Sequence, residues 1–304
     1  MLSSLLFFMA LVQVAYGGAG VGWGYDHHDG PHTWKGKCTN TFGRQSPIDI
    51  RASDVDYTPL HRLQFLHYDH PGQVKIKNEG KTILVTGFDT WGPNQPLIQG
   101  GGLRHRYKLV QFHLHWGQHD SEGSEHTMGS LHYPAELHLV HIREGLSITE
   151  AKSRPDGLAV VGVFLARTHK HHGGHNLHEL ATSFSLIEQY ENSTDIRSFR
   201  TRNLLPDDTE AFYRYDGSLT TPECDEAVVW TILAEPIAID HEQLKLLRAI
   251  KRSDGAVVHK NYRPTQPLNG RRILYRPNKF DHALLCSSAQ AFTWTALILS
   301  IFFL

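Results

Sequence analysis

The segment Tyr107–Trp116 alternates polar and apolar side chains, a pattern that separates into two faces in an extended strand. The alternation divides six side chains between a polar and an apolar face: Gln111, His113 and His115 against Val110, Phe112 and Leu114. The apolar face has to be buried against a core, whereas the other face carries two imidazoles side by side. The segment therefore predicts a half-buried strand that presents histidines on one surface of a sheet.

A second segment, residues 135–142, repeats this arrangement with a carboxylate. Glu136, His138 and Val140 share one face, whereas two leucines lie on the other. If both strands belong to one sheet, a third imidazole and a carboxylate join the first two imidazoles above the same apolar core.

These histidines are candidate metal ligands. Three imidazole nitrogens, from His113, His115 and His138, leave one coordination position of Zn²⁺ open, which is typical of catalytic rather than structural zinc sites. Gln111 and Glu136 strengthen the prediction, because metal-bound histidines usually donate their second N–H to an oxygen acceptor. A His-x-His pair alone is weak in a chain with 22 histidines. The added carboxylate-x-His strand makes the arrangement far more specific.

Short apolar or alternating runs recur along the chain and predict strands. They lie at residues 74–77, 82–85, 107–116, 135–142, 158–165 and 227–233. Helical patterns are fewer, at residues 176–190 and 241–250, with Asp240 as the N-cap of the second. No internal repeat, low-complexity linker or shift in charge marks a second domain. The expected fold is therefore a single α+β domain dominated by β-strands.

The two ends of the chain carry its only long apolar segments. Residues 1–17 contain no charged side chain and end in a small-x-small triplet, which predicts a secretory signal peptide. Residues 292–304 are nearly all apolar and follow the small residues 286–289, which predicts a GPI-attachment signal with Ser287 as the attachment residue. Two alternatives stay open for this tail, a tail-anchoring transmembrane helix and a buried terminal helix. Its 13 residues fall short of the ~20 that a spanning helix needs.

Export would place three cysteines in an oxidising compartment, which predicts one disulfide and one remaining thiol. Cys38 with Cys224 is the economical pairing, because Cys286 lies at the expected processing point, although the sequence leaves the other pairings open. The sequon at Asn192 predicts N-glycosylation in the same compartment.

Charge and histidine content limit the other functions. Lys plus Arg number 30 against 31 for Asp plus Glu, so no charge excess indicates nucleic acid or an anionic membrane surface as a partner. The histidine-rich segment at residues 169–178 contains glycines and mixed polarity. It predicts a flexible loop rather than a second metal site, because no apolar scaffold would preorganise the ligands.

Six stretches of the sequence match the motifs of one enzyme family. They are QSPIDI (45–50), QFHLHWG (111–117), GSEHT (123–127), AELHLVH (135–141), PDGLA (155–159) and GSLTTP (217–222). With these motifs, the chain resembles the α-carbonic anhydrases from Trp23 to Pro264. The resemblance implies a large, mostly antiparallel central sheet with peripheral helices. It also implies the zinc-dependent reversible hydration of carbon dioxide to bicarbonate and a proton.

The resemblance assigns roles to individual positions. The zinc ligands would be His113, His115 and His138. Their outer hydrogen-bond partners would be Gln111, Glu136 and the backbone of Asn261. Thr220 would accept a proton from the attacking oxygen and pass its own hydroxyl proton to Glu125. The Thr220 amide and Thr221 would meet bicarbonate. The apolar wall that receives carbon dioxide would consist of Val140, Val160, Leu219 and Trp230.

Within that family, the chain ends and the positions of Cys38 and Cys224 resemble the GPI-linked membrane types, IV and XV. The implied organisation is a signal peptide at residues 1–17, a catalytic domain at residues 18–286 and a GPI-attachment propeptide at residues 287–304. The protein would then act at the extracellular face of the plasma membrane, held there by a lipid.

One position departs from the family pattern. Where the fastest members have a proton-shuttling histidine, this chain has Lys81. The ordinary pKa of lysine is ~10.4 against ~6.5 for histidine, so lysine is a poorer relay at neutral pH. Glu79 and Leu84 also replace polar residues that are common in the family. We expect the enzyme to remain active with a lower maximum turnover. His27 and His28 are alternative proton shuttles.

Two other functions compete with this interpretation. A cupin-type iron or manganese oxygenase also uses a His-x-His strand, a nearby carboxylate, here Asp120, and a later histidine. The second cupin motif is absent, however, and residues 217–222 would be unexplained. The other competitor is a catalytically weak family member that acts as a cell-surface binding module. Such proteins lose zinc-binding histidines, and this chain retains all three.

Overall fold

The computed structural model describes residues 22–168 and 175–278. The described strands, numbered in chain order, are β1 (Asp49–Ile50), β2 (Val55–Tyr57), β3 (Leu63–Leu66), β4 (Pro71–Asn78), β5 (Ile83–Thr86), β6 (Leu97–Gly100), β7 (Tyr107–Trp116), β8 (Thr127–Met128), β9 (Ala135–Arg143), β10 (Leu158–Arg167), β11 (Ser193–Arg200), β12 (Phe212–Gly217), β13 (Val228–Leu233), β14 (Ile237–Ile239) and β15 (Ile273–Arg276). The described α-helices are α1 (Ile148–Lys152), α2 (His178–Thr182) and α3 (His241–Arg248). Short 3-10 helices form at Pro31–Thr33, Gly36–Thr39, Ala52–Asp54, Phe88–Asn94, His175–Leu177, Phe184–Ile187 and Thr201–Leu204. Each of the six predicted strands is present, as β4, β5, β7, β9, β10 and β13.

A single sheet contains 13 of the described strands, and its main path runs β11-β4-β5-β7-β9-β10-β13-β12-β15-β2. β6 joins this path at β7, β3 pairs with β6, and β14 pairs with β10. Within the described part of this sheet, parallel pairing is limited to β10 with β13, β10 with β14, and β15 with β2. β1 and β8 form a separate parallel pair. The prediction of one domain built on a mostly antiparallel sheet is therefore confirmed.

The centre of the sheet is buried on both faces. On one face, Leu114 and Leu139 join a hydrophobic cluster that includes Leu247 of α3. On the other face, Val140 and Trp230 belong to a second cluster. Because both faces are covered, a polar side chain at the centre of β7 or β9 lies in a protected environment.

One residue of β7 departs from the expected alternation. The pairing of β7 with β9 shifts register between Leu109 and Gln111, which marks a β-bulge. Leu109 packs into the cluster beneath α3, whereas Val110 packs against the opposite cluster, on the side where Gln111 and His113 lie. The prediction that Val110 shares a face with Phe112 is wrong, because a bulge adds one residue to a strand and resets the alternation.

The helix predicted at residues 176–190 is interrupted. α2 ends at Thr182, and a 3-10 helix at Phe184–Ile187 follows. The hydroxyl groups of Thr182 and Ser183 both donate to the backbone carbonyl of Glu179. Such side chains compete with the backbone for its hydrogen bonds, so a cluster of serine and threonine disfavours a continuous helix.

The second predicted helix is confirmed as α3. Asp240 caps it, since its side chain accepts the amide N–H of Gln243 at 2.9 Å and the Gln243 side chain accepts the amide of Asp240 at 3.0 Å. This reciprocal cap satisfies two backbone donors that a helix N-terminus otherwise leaves unpaired. The helix ends at Arg248, two residues earlier than the pattern predicted.

Cys38 and Cys224 form a disulfide, which confirms the predicted pairing. The bond ties the amino-terminal segment to the loop that follows β12. Trp34 lies in the same buried cluster, and Trp23 and Tyr25 pack against it. The amino-terminal segment is thus fastened to the sheet both covalently and by aromatic packing.

Several sequence predictions fall outside the described ranges. They are the signal peptide at residues 1–17, Cys286, Ser287 and the tail that follows, and residues 169–174 of the histidine-rich segment. Within the described ranges, no helix is long and apolar enough to cross a bilayer. Asn192 lies within them and is exposed.

Candidate metal centre

Strand register brings the three histidines together. In the antiparallel pair β7 and β9, His113 lies directly opposite His138, and His115 lies opposite Glu136. The ring centroid of His115 is 5.0 Å from that of His113 and 4.5 Å from that of His138. One nitrogen of each ring lies within 4.8 Å of the other two. The three imidazoles therefore form a compact donor set that could hold a metal ion.

A hydrogen bond fixes the second nitrogen of each ring. The pairs are His113 Nδ1 with Gln111 Oε1 at 2.9 Å, His115 Nδ1 with the carbonyl oxygen of Asn261 at 2.7 Å, and His138 Nε2 with Glu136 Oε1 at 2.7 Å. An N–H that donates to oxygen leaves the opposite ring nitrogen as the lone-pair donor. The available donors are then Nε2 of His113, Nε2 of His115 and Nδ1 of His138.

Two buried atoms at this centre have no hydrogen-bond partner in the described part of the chain. They are Nε2 of His115 and Oε2 of Glu125, which lie 3.4 Å apart. Nδ1 of His138 is 3.8 Å from the same carboxylate oxygen. Leaving buried polar atoms unpaired is costly, and a cation between the imidazoles would satisfy the unpartnered nitrogen. A set of three imidazoles with one open position suits Zn²⁺.

Burial keeps these imidazoles neutral. It lowers the pKa of His115 to about 3, helped by the nearby imidazole of His138. Burial also lowers the pKa of His113 well below its usual value and lowers that of His138. Neutral imidazole is the form that binds metal, so the set is ready to coordinate an ion at neutral pH.

Glu136 is itself held by a second histidine, His126. The carboxylate oxygens accept the ring N–H of His126 at 2.7 Å and its backbone N–H at 2.8 Å. Nε2 of His126 lies 2.6 Å from the hydroxyl of Tyr215. Burial alone would raise the pKa of Glu136, but the imidazoles of His126 and His138 outweigh burial and lower it. Sequence reasoning missed the role of His126, because it precedes β8 in a segment without a periodic pattern.

Gly162 makes room for this network. It lies opposite His138 in the pairing of β10 with β9. An added Cβ would lie 2.7 Å from Cδ1 of Ile232 and 3.1 Å from Oε1 of Glu136. A larger residue would therefore press on the carboxylate that orients His138. The sequence carried a signal for this position, since a glycine inside an apolar strand often marks a close approach.

The imidazoles line a cavity that opens to solvent. Every side chain that the sequence placed at the substrate site or shuttle position also lines it: Thr220, Thr221, Val140, Val160, Leu219, Trp230 and Lys81. Sequence reasoning missed five others: Tyr25, Thr82, Ile148, Lys152 and Leu158. The cavity therefore joins the candidate ligands, an apolar wall and a pair of threonines in one space.

Glu125 is a fully buried carboxylate beside Thr220. Its Oε1 accepts the backbone N–H of Arg263 at 2.7 Å. Burial raises the pKa of Glu125 well above its usual value, although interactions with the Thr220 hydroxyl and the Arg263 amide act in the opposite direction. The carboxylate is thus held where it can orient the Thr220 hydroxyl.

Lys81 lines the cavity beside the amino-terminal segment. Its Nζ lies 4.4 Å from the centre of the Trp23 ring, a contact that stabilises the charged ammonium. Burial lowers the pKa of Lys81, and the carboxylates of Asp29 and Glu79 partly offset this effect. His28 lines an adjoining cleft that also includes Lys81, whereas His27 packs against His32, away from both cavities.

The carboxylate that a cupin-type site would need is engaged elsewhere. Asp120 is paired with Arg167 at 2.5 Å and with Arg248 at 2.9 Å. Among the described residues it does not belong to any group that could hold a metal ion. The structure therefore does not favour the oxygenase interpretation.

If the three imidazoles hold zinc as the resemblance implies, we expect Glu125→Gln to keep one bound zinc per chain and to slow the implied hydration of carbon dioxide by roughly 10–100-fold, the range for loss of an outer hydrogen-bond partner. The neutral amide oxygen is a weaker acceptor for the Thr220 hydroxyl than a carboxylate, and the NH₂ group cannot accept at all, while all three imidazoles remain. Zinc content and initial hydration rate on the same sample test this. Glu122→Gln is the matched control, because Glu122 accepts the Tyr262 hydroxyl at 2.7 Å outside the cavity. Loss of zinc from Glu125→Gln would contradict the role given to Glu125.

Comparisons with known proteins agree with this geometry. Residues 29–277 match the family model described as eukaryotic-type carbonic anhydrase. The chain is similar to putative carbonic anhydrase 5 of Caenorhabditis elegans, with 57% identity over 98% of this chain and 94% of that protein. It is also similar to putative carbonic anhydrase 3 of the same organism, with 41% identity over 83% of this chain and 97% of that protein. Carbonic anhydrase 7 of Homo sapiens is 37% identical over 83% of this chain and 96% of its own length.

Proposed function

The chain belongs to the eukaryotic-type carbonic anhydrase family, and on this basis we propose that it catalyses the zinc-dependent, reversible hydration of carbon dioxide to bicarbonate and a proton. The observation that carries the proposal is a set of three imidazoles, two of them buried and one partly buried, that line a cavity with an apolar wall. Such a site can activate water beside a substrate that has no dipole of its own.

Zinc would be held by Nε2 of His113, Nε2 of His115 and Nδ1 of His138. When bound, it lowers the pKa of a coordinated water towards neutrality, a property for which carbonic anhydrase is the standard example. Gln111, Glu136 and the carbonyl of Asn261 keep the three rings in the tautomers that coordination needs. One position is left open for the reactants.

Thr220 and Glu125 control the proton of the nucleophile. The Thr220 hydroxyl accepts that proton in a hydrogen bond and donates its own to Glu125. Because the Arg263 amide holds the carboxylate in place, the hydroxyl has one preferred direction. The lone pair of the attacking oxygen then faces the substrate, which reduces the entropy lost in reaching the transition state.

The apolar wall receives carbon dioxide and excludes competing water. Val140, Val160 and Leu219 contribute aliphatic surface, and Trp230 contributes an indole ring. The indole N–H donates to the carbonyl of Ser218 at 3.0 Å. The ring therefore has no free donor to attract water into the cavity. Thr221 and the amide of Thr220 contact the product bicarbonate.

Metal content and hydration rate measured on the same purified protein test the proposed function. We expect one zinc per chain, loss of hydration when zinc is removed by a chelator, and recovery when zinc is returned. Bound iron or manganese without hydration would instead support an oxygenase. Loss of both zinc and hydration in a folded protein would support a binding module.

Proton export is the step that Lys81 is expected to limit. We expect Lys81→His to raise turnover in weak buffer by roughly tenfold, less than the ~100-fold or more that positioned acid–base groups can contribute, because buffer already carries part of the proton flow. Added imidazole buffer should raise wild-type turnover in the same way. The second-order rate at low carbon dioxide should barely change, because it reports the attack and not the later proton step.

Stopped-flow measurements across buffer concentrations check this prediction. Lys245→His is the control, because Lys245 lies on α3 with 71% of its side chain exposed and does not line the cavity. Turnover that is insensitive to buffer, with no gain in Lys81→His, would mean that another group such as His28 already exports the proton.

We also propose that the protein is secreted, glycosylated at Asn192 and attached by GPI at Ser287 to the extracellular face of the plasma membrane, as in types IV and XV. The apolar chain ends, the Cys38–Cys224 disulfide and the exposed sequon support this location. None of the relatives named above carries type IV or XV in its name. Phosphatidylinositol-specific phospholipase C should release the protein from intact cells, and Ser287→Leu should reduce the surface amount. Retention after the phospholipase would support a tail anchor.

A further inference from the structure

The cavity above the imidazoles has a positively charged lining. Of the described residues that line it, Lys81 and Lys152 carry full positive charges, and none carries a carboxylate. The other lining residues are neutral side chains and the three candidate zinc ligands. A bound divalent ion would add further positive charge, so the local electrostatic potential favours an anion.

Lys152 belongs to a well-fixed element. It is the last residue of α1, and Ile148, one turn earlier on the same helix, lines the cavity with it. Ala151, which precedes Lys152 in the helix, is fully buried. Ser147 and Glu150 form a reciprocal cap at the helix start. The backbone that carries Lys152 is therefore held from below and from one end, and its long side chain can place an ammonium in water while its stem covers apolar surface.

Neither lysine is neutralised by an ion pair within residues 22–168 and 175–278. Lys81 stacks over Trp23, and the carboxylates of Asp29 and Glu79 lie near enough to act on it. Asp29 and Glu79 offset part of the charge of Lys81. We therefore expect Lys152 to contribute the larger share of the positive potential inside the cavity.

We propose that Lys81 and Lys152 make this cavity selective for small carboxylates, that is, for ligands that reach the metal centre at one end and carry a carboxylate at the other. Lys152 is a specificity-determining residue, and Lys81 assists it. This inference rests on the proposed function only in taking the three imidazoles as a zinc site that binds ligands.

The selectivity has to be measured by ligand binding, because a comparison of the hydration and dehydration rates cannot reveal it. A catalyst cannot change the equilibrium between carbon dioxide and bicarbonate, so a lysine that attracts bicarbonate changes the second-order rates of both directions equally. Binding constants for a neutral and an anionic ligand of the same shape are free of this constraint.

A matched pair of rigid zinc-binding ligands provides the test: 4-carboxybenzohydroxamic acid and its neutral isostere 4-carbamoylbenzohydroxamic acid. Their dissociation constants are measured by calorimetry on the zinc-loaded full chain. We expect the wild type to bind the carboxylate roughly threefold to tenfold more tightly than the amide, the size expected from two partly solvated charge pairs. The preference should shrink as salt is added.

Substitutions then assign the preference to its residues. We expect Lys152→Met to remove most of the preference, Lys81→Met to remove less, and Lys152→Glu to reverse it. Lys245→Met, on the exposed face of α3, changes the net charge by the same amount as each of the other lysine-to-methionine changes, but outside the cavity, and should leave the preference intact. Lys245→Met should bind the neutral amide with wild-type affinity, and for the cavity variants the measured quantity is the ratio of the two dissociation constants.

Two results would overturn the proposal. If the wild type binds the amide normally but shows no preference for the carboxylate, the selectivity is absent while the zinc site and the proposed function stand. If Lys152→Met and Lys81→Met together keep the full preference, other groups cause it. A protein that binds neither zinc nor the neutral ligand would overturn the proposed function as well.

Discussion

We expect His138→Ala to lose bound zinc and carbon dioxide hydration together. Two imidazoles, His113 and His115, remain, and two ligands do not hold a tetrahedral catalytic ion against competition from water and buffer. The zinc affinity should fall by far more than the roughly 10–100-fold that loss of an outer partner costs. Zinc per chain, measured after dialysis, and the hydration rate of the same sample test this expectation.

The structure indicates how to separate loss of metal from loss of the fold. His138 is buried and bonded to Glu136 at 2.7 Å, so its removal disturbs packing as well as coordination. The reference is wild-type protein from which a chelator has removed the metal. If His138→Ala loses only the metal, its circular dichroism spectrum and its residual hydration rate should match those of this reference. His119→Ala is the matched control, since His119 is exposed and follows β7 by three residues. Stoichiometric zinc with near-full activity in His138→Ala would show that the ligand assignment is wrong.

Replacement of Cys38 and Cys224 by serine should lower the free energy of unfolding by roughly 2–5 kcal/mol. The disulfide closes a loop of 186 residues, for which chain entropy alone suggests about 5 kcal/mol, and measured effects usually fall short of that figure. The corresponding fall in melting temperature is roughly 5–15 °C for a domain of this size. Denaturant unfolding with and without a reductant measures the effect.

Activity should fall with stability in this variant. Thr220 and Thr221 precede Cys224 by three to four residues, and the Cys224 amide donates to the carbonyl of Thr221 at 2.8 Å. The disulfide therefore holds one end of the loop that orients the reactants. Lys37→Met is the control, because the pair of Lys37 with Asp225 joins the same two segments at 2.6 Å without a covalent bond. Lys37 is exposed whereas Asp225 is buried, so we expect the loss of this pair to cost about 1–2 kcal/mol, less than the loss of the disulfide. Unchanged stability in the double serine variant would contradict the bracing role.

The sequence predicted the site well where a function depends on local periodicity. Side chains in a strand point to alternate faces, so parity alone placed His113 with His115 and Glu136 with His138. The register of β7 with β9, in which His113 lies opposite His138, then brought the pairs together. Asp240 as a helix cap followed from local chemistry in the same way. The prediction of one continuous helix at residues 176–190 was wrong, because an apolar pattern does not show the hydrogen bonds that the hydroxyl groups of Thr182 and Ser183 make to the backbone.

Residue parity within a strand could not show which distant groups complete the site, although the family resemblance named the backbone of Asn261. The carbonyl that fixes His115 belongs to Asn261, 146 residues away, and the amide that holds Glu125 belongs to Arg263, 138 residues away. The bulge in β7, the space left by Gly162 and the position of Lys152 at the cavity depend in the same way on how separate elements pack. The chain itself determined the strands, the three imidazoles and their direct partners, because these depend on side-chain parity within a strand. Only the tertiary structure decided the contacts of His126 and Arg263 and the position of Lys152 at the cavity, because these arise between residues that have no regular spacing along the chain.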